Sequence, residues 1–281
     1  MLKLLGFILL SAQLFQSQQI DWLRNLGEAK LQATVENKLI LLYFESTSSE
    51  RSLKMDMETW NQPPIVQIAK KFVCVRIDFE QMRQSANIIL KDRNQSLITR
   101  YRVTYLPTLV FIDIHGHVFL RAEDFESAQE MKTLMQALPT DLSNVYPTLT
   151  ALEKEPDNVR LKIAVADSFQ RLRQFQISNE YYREMSNADT LKIDQELAEH
   201  VDMYTAMNHY ELNELHASID LFERVLDKYP GSKHHPEQLF MLAKLYLLTL
   251  NDIRAREYLD MLEKEYPKNY FTHLARGLFK K

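Results

Sequence analysis

Residues 39–54, Leu-Ile-Leu-Leu-Tyr-Phe-Glu-Ser-Thr-Ser-Ser-Glu-Arg-Ser-Leu-Lys, decide the fold of this chain. Leu39 to Phe44 is an unbroken apolar run of strand length, the pattern of a strand buried on both faces. The polar stretch that follows cannot continue a buried strand. It predicts a short loop in which Ser48 or Ser49 offers a hydroxyl N-cap to a helix carrying Leu53, Met55 and Met57. Glu50 suits the positive end of that helix and Arg51 does not. A buried strand feeding a short loop and a helix is the building unit of an α/β layer.

Working outward, helix and strand alternate from Ile20 to about Leu138. Trp22, Leu23, Leu26, Ala29 and Leu31 have helical spacing and predict a helix ahead of a strand over 38–44. Pro63-Pro64 suits the first turn of a helix reaching Lys71, which leads into a strand over 72–78 containing Cys74. A helix is expected over 85–101. The apolar run from Val103 to Asp113 then carries Pro107 at its mouth, the position where a strand tolerates a missing donor. Asp113-Ile114-His115-Gly116 is a turn by composition, residues 118–121 return as a hairpin partner, and a helix over 126–138 closes the unit.

A chain of 281 residues is long enough for two cores, and 5 Gly and 9 Pro beside 46% hydrophobic residues leave little room for disorder or turn-rich β architecture. With a net charge of −4 and no long basic block, nucleic acid is not expected as a partner. Lys3 followed by the apolar run Leu4 to Leu10 reads as a secretory signal, with Ser11-Ala12 or Ser17 near its cleavage point. That run is too short to span a membrane, and no cysteine follows it to carry a lipid. The expected organisation is therefore a signal over 1–18, an α/β domain over 19–138 and a second domain over 139–281. The mature protein is expected in the periplasm or outside the cell, without a stable membrane span.

The runs LILLYFESTSSERSLKMDMETW, FVCVRIDF and YRVTYLPTLVFIDIHGHVFL together resemble the thioredoxin-like superfamily, in particular its exported bacterial members with a helical preface. The resemblance covers about residues 20–138. It implies a central mixed sheet flanked by helices, a cis Leu106–Pro107 bond facing the active-site loop, and a peptide groove formed by Leu106, Pro107 and Thr108. X-Pro is the one peptide bond for which cis is cheap. The resemblance also places Ser48 where the family has tryptophan, and Ser49 and Ser52 where it has the two redox cysteines. Thiol exchange needs a thiolate, and a serine hydroxyl stays protonated and forms no disulfide. The scaffold is expected to persist without its redox chemistry.

Other chemistries find little support. A nucleophilic serine needs a base and an oxyanion hole, and no G-x-S-x-G elbow is present. His115 and His117 read as solvated turn residues, and neither they nor His234-His235 have the companions a metal site requires. No metal or other cofactor is expected. Asn94-Gln95-Ser96 is a sequon inside a predicted helix, which argues against its use. The single cysteine, Cys74, reads as a buried strand residue; the rival reading is a thiol-disulfide or peroxide enzyme that uses it alone.

After Leu138-Pro139 strands give way to helices of about a dozen residues. Residues 218–230 repeat as 255–267, an offset of 37. These segments resemble the tetratricopeptide repeat: Leu239, Leu242, Ala243, Tyr246, Ala255, Leu259 and Pro267 sit at the family's packing positions. Ala166, Phe169, Ser178 and Tyr182 match more loosely in an earlier unit. The first helix of the middle unit, around Glu196 to Tyr210, departs from the pattern, and Tyr270 to Lys281 is expected to close the stack. The resemblance implies a concave face that grips a protein or peptide, with Asp202, Tyr204, Asn208, Gln238, Met241 and Lys244 as its binding residues. The resulting expectation is an exported, redox-inactive binding or assembly module; an inert spacer would lack a polar-aromatic cluster on that face.

Overall fold

The computed structural model describes residues 19–84, 88–185, 188, 191–192 and 194–279. The export segment 1–18 and the start of the helix expected from Ser85 lie outside the described residues. Contacts divide the chain into two units, the first reaching Tyr146 and the second beginning at Pro147. The stretch 139–146, assigned to the helical half on sequence, is tied to the first unit. Leu142 donates its N–H to the Asn37 carbonyl (2.9 Å), and the Tyr146 hydroxyl donates to that of Lys38 (2.7 Å).

The first unit is built on a five-stranded sheet: β1 (Trp22–Leu23), β2 (Ile40–Glu45), β3 (Val73–Asp78), β4 (Thr108–Ile112) and β5 (Val118–Glu123) in the order β1-β3-β2-β4-β5. β2 lies parallel to β3, Ile40 opposite Val73 and Glu45 opposite Asp78, and antiparallel to β4, Phe44 opposite Thr108. All six residues of β2 are buried, as an apolar run in a central strand requires. On one face Ile40, Leu42 and Phe44 pack with Val75, Ile77, Val110 and Ile112. Ala29 and Ala33 bring α1 (Leu26–Glu36) close to them, being small and one helical turn apart.

The helical reading of Trp22 and Leu23 is corrected: they form the short edge strand β1, and α1 starts only after the Asn25 cap. Leu31 is 73% exposed, so the helical spacing that included it was partly coincidental. Beyond β2 come α2 (Glu50–Met55), which runs directly into a π-helical turn over Asp56–Trp60, then α3 (Pro63–Ala69) with its prolines in the first turn. α4 (Phe79–Gln84), α5 (Ile88–Arg100) and, after β5, α6 (Ala128–Gln136) complete the unit. Ser127 and Glu130 close the start of α6 with a reciprocal capping box.

In the second unit, after α7 (Tyr146–Lys154), three antiparallel hairpins follow: α8 (Val159–Arg171) with α9 (Phe175–Met185), α10 (Gln195–Glu211) with α11 (Leu215–Lys228), and α12 (His235–Leu248) with α13 (Asp252–Glu265). α14 (Tyr270–Leu278) packs beside the last pair. Each hairpin carries a fully buried small residue on both helices, Ala166 and Ser178, Ala206 and Ser218, Ala243 and Ala255, and Ser218 donates to the Ala206 carbonyl at 2.9 Å. Small side chains let the helix axes approach, and Phe169, Phe222 and Leu259 fill the space beside them. Each hairpin turns through one left-handed residue, Arg173, Asn213 or Leu250, with φ of 59–60°. The next N–H donates back to Phe169, His209 or Tyr246 at 2.8–2.9 Å, the bond that satisfies an orphan carbonyl at a helix end.

Candidate functional site

β2 delivers its carboxyl end to the serine loop. Ser49 caps α2: its Oγ accepts from the Ser52 N–H and donates to the Leu106 carbonyl, both at 3.4 Å and therefore weakly. Ser52 is 1% exposed, and its Oγ accepts the N–H of Ser46 (3.3 Å), while the Tyr43 hydroxyl donates to its carbonyl. Ser46 and Ser48 hydroxyls meet at 2.8 Å, and Ser48 donates to Glu80 at 3.0 Å. Among the described residues the partners of Ser49 and Ser52 are backbone groups and one another, with no base placed to deprotonate either. The hydroxyls hold the loop.

The Leu106–Pro107 bond is cis and stands against this loop. Pro107 and Thr108 are buried; Thr108 donates from Oγ1 to the Tyr105 carbonyl (2.7 Å) and faces Phe44 across the sheet. Leu106 is half-buried, and the adjacent Tyr105 is 63% exposed. The segment after β5 runs along α2. Asp124 donates its N–H to the Pro107 carbonyl (2.9 Å) and pairs with Arg51 (2.5 Å), Lys54 lies 4.2 Å from the Phe125 ring centre, and Thr59 donates to the Glu126 carbonyl (2.6 Å). Together these contacts tie the cis-proline segment to the start of α2 and to the end of β5.

Two features escaped the sequence reading. Glu45 ends β2 with 2% exposure and, among the described residues, no hydrogen-bond partner for its carboxyl. Burial, then the facing Asp78, pushes it up to about 7 against the pull of Arg76. A glutamate closing an all-apolar strand was the available signal. The other is the prop behind the π turn: Arg76 forks onto Asp56 (2.6 and 3.1 Å) and stacks on Trp22 and Tyr43, which pack with one another at 5.5 Å and each with Trp60 at 5.2 Å. A guanidinium in β3 thus anchors the helix that follows the serine loop.

Cys74 is 3% exposed, and burial pushes its thiol up to about 12, far from a reactive thiolate. His115 and His117 are half-buried, a correction to the solvated-turn reading. The turn folds around Asp113, which is fully buried, accepts three backbone N–H groups on Oδ1 and meets His117 Nδ1 at 2.6 Å on Oδ2.

On the repeats, the six expected face residues divide. Asn208 and Gln238 are fully buried and Met241 is 5% exposed, so these three are packing residues and not a binding surface. Asn208 donates to Ser178 and Asn179 (both 2.9 Å) and Gln238 to Glu199 (2.8 Å), bonds that join neighbouring hairpins. Helical phase alone could not reveal this, because a polar residue at an inward position looks the same as one facing solvent. Asp202 takes Lys228 and the Tyr229 hydroxyl, each at 2.7 Å. Tyr204 lies 4.4 Å from the His200 ring, and Lys244 sits 4.3 Å over Tyr210. His200 and the Tyr182 hydroxyl both reach Asp167, whose carboxyl burial would raise but these bonds hold below the ordinary range. Asp167, Tyr182, His200 and Tyr204 thus form a polar-aromatic cluster across α8, α9 and α10, and Lys244 and Tyr210 form a contact between α12 and α10.

No curated protein matches the chain. Among solved structures it is similar to a DsbH oxidoreductase (24% identity, 42% of this chain, 83% of that one, TM-score 0.38). It is also similar to a thioredoxin from Thermus thermophilus (20%, 42%, 85%, 0.35) and the oxidised Neisseria meningitidis DsbD C-terminal domain (16%, 41%, 97%, 0.33). Residues 21–113 match the thioredoxin-like family model, and 201–232 and 239–269 match that of the tetratricopeptide repeat. The chain thus joins an N-terminal thioredoxin-like domain to C-terminal tetratricopeptide repeats.

Proposed function

We propose that this chain is an exported, redox-inactive protein-binding or assembly module, in which the surface at Leu106–Pro107 and the repeat residues Tyr204 and Lys244 hold segments of a protein partner. The observation that carries the reading is the use made of Ser49 and Ser52: where thiols would exchange, hydroxyls cap a helix and accept a buried N–H. The burial of Cys74 gives no support to a single-thiol enzyme. Export is supported by the Lys3 and Leu4–Leu10 pattern, and protein binding by the repeats.

Insulin reduction by the purified chain tests the redox part: no turnover above the dithiothreitol background is expected, and turnover comparable to a dithiol protein overturns it. Capture from the extracytoplasmic fraction, with full-length Tyr204→Ala and Leu106→Asp variants alongside, tests the binding part. Loss of the same protein from one variant assigns the surface, and retention by both removes these surfaces from consideration.

A further inference from the structure

Between α11 and α12 the chain borders an open cavity of about 500 Å³ against the first turns of α10. Glu199 lines it beside Tyr229 and Ser232, and Glu196 and Lys233 stand at its rim. Glu199 is only 8% exposed. Its Oε1 accepts both the Ser232 hydroxyl and the Gln238 side-chain N–H (2.8 Å). Oε2 has no hydrogen-bond partner among the described residues, and it is not sealed in: it opens on the cavity. A carboxylate this far out of water ordinarily meets a cation or a full set of donors. Oε2 meets neither.

The charges around the cavity show what would complete it. Lys233 is engaged on the rim, its ammonium 2.6 Å from Glu196, and acts on Glu199 only through space. His234 lies against Glu237 at 3.6 Å. The positive end of α10 is met by the Asp194 cap and by Glu196 in the first turn, and its influence fades before Glu199. With Glu196 and Lys233 cancelling, the Glu199 charge is left over. The geometry also selects the kind of cation. A guanidinium binds a carboxylate best through two parallel N–H bonds onto two oxygens, and Glu199 has one to give. A divalent metal asks for several ligating side chains, and among the described residues no three carboxylates, histidines or cysteines gather. An ammonium is satisfied by one oxygen at a time, and its alkyl stem can lie along Tyr229 and Pro230. Gly231 turns the chain at φ of 83° with open space where a Cβ would stand, which keeps the mouth clear.

We propose that this cavity is a binding site for a primary alkylammonium group, seated on Glu199 Oε2. The group is carried by a lysine side chain of a partner or by a free aliphatic amine. The site shares no residue with the surfaces proposed above and stands or falls apart from them.

The test titrates the full chain with Nα-acetyl-lysine amide, its arginine counterpart and 1,5-diaminopentane, read by NMR at low salt, where a charge pair is least screened. The lysine amide is expected to bind in the range of about 1–10 mM and about threefold tighter than the arginine amide. Glu199→Gln keeps the side-chain shape and an acceptor for Gln238, and should weaken the lysine amide about fivefold. Helical circular dichroism reports whether that variant folds. If it does not, Gln195→Lys decides: at an exposed position one turn before Glu199 it offers an ammonium of the chain's own, and a loss of about threefold is expected. Undiminished binding in the deciding variant, a preference for arginine, or no binding at about 20 mM overturns the site. A diamine that binds about threefold tighter than the lysine amide supports the site with a free amine as its occupant, and equal or weaker diamine binding supports it with a partner's lysine.

Discussion

Glu45 in the thioredoxin-like domain and Glu223 in the repeats are both glutamates set against packed cores, and the two domains treat them in opposite ways. Glu223 accepts the hydroxyls of Tyr246 (2.7 Å) and Tyr258 (2.9 Å) and a guanidinium N–H of Arg254 (3.0 Å), joining α11, α12 and α13. Burial raises it, but those three bonds outweigh burial and hold it below the ordinary carboxylate range. Glu45 has the burial without the bonds, and it rises. In the repeats a carboxylate is a strut; beside the serine loop it is an uncompensated group. The difference is one of partners: hydroxyls and a guanidinium surround the first carboxylate, and a second carboxylate faces the other.

The sharpest way to break this comparison is pH. The unfolded chain releases the Glu45 proton near 4.5 and the folded domain near 7, so between those values the unfolded state binds fewer protons. Stability of the N-terminal domain is therefore expected to fall as pH rises from 4.5 to about 7, by up to about 3 kcal/mol at ~1.4 kcal/mol per pH unit, and then to level off. Trp22 and Trp60, the two tryptophans of the chain, both lie in that domain, so tryptophan fluorescence in urea reads it alone. Glu45→Gln should flatten the slope, and an unchanged slope would mean that Glu45 is ordinarily ionised. Glu223 has the opposite sign: its contribution is present above the ordinary 4.5 and lost as pH falls through its lower folded value. Glu223→Ala should cost the repeats about 2 kcal/mol at neutral pH, leaving two tyrosine hydroxyls without their acceptor, as read by helical circular dichroism.

Smaller changes sharpen the picture of the loop. Ser52→Ala leaves the buried Ser46 N–H without its side-chain acceptor and should cost about 1–2 kcal/mol in the tryptophan signal. Ser49→Ala removes a cap whose bond is already long, and about 0.5–1 kcal/mol is expected. Equal, negligible effects would show that the hydroxyls do not hold the loop. Smallest of all, Leu250→Asn should stabilise the repeats by a few tenths to about 1 kcal/mol, because a 90% exposed leucine in a left-handed turn carries strain that asparagine largely avoids.

Much of this architecture was legible in the sequence because period and polarity act locally. The apolar run at Leu39–Phe44 predicts the central strand, the serine loop predicts a cap from Ser48 or Ser49 that Ser49 supplies, and the small residues of the repeats predict close helix packing. What stayed hidden depends on neighbours distant in sequence. Trp22 and Leu23 joined a strand because β3 offered an open edge, which outweighed their helical spacing. Asn208 and Gln238 were misread as surface because their partners, Ser178 and Glu199, come from other helices. Arg51 and Asp124 stand 73 residues apart, beyond any local pattern.

The three left-handed turns also keep count. Arg173, Asn213 and Leu250 fall 40 and then 37 residues apart, and the second interval matches the offset at which residues 218–230 recur as 255–267. These three residues share no chemistry, since an arginine, an asparagine and a leucine hold one backbone angle, yet each marks the turn of its hairpin. The hairpin containing Arg173 lies outside the matched repeats, and the same left-handed turn closes it at an interval of 40 residues in place of 37, so the bend of the chain recurs where the repeat pattern does not.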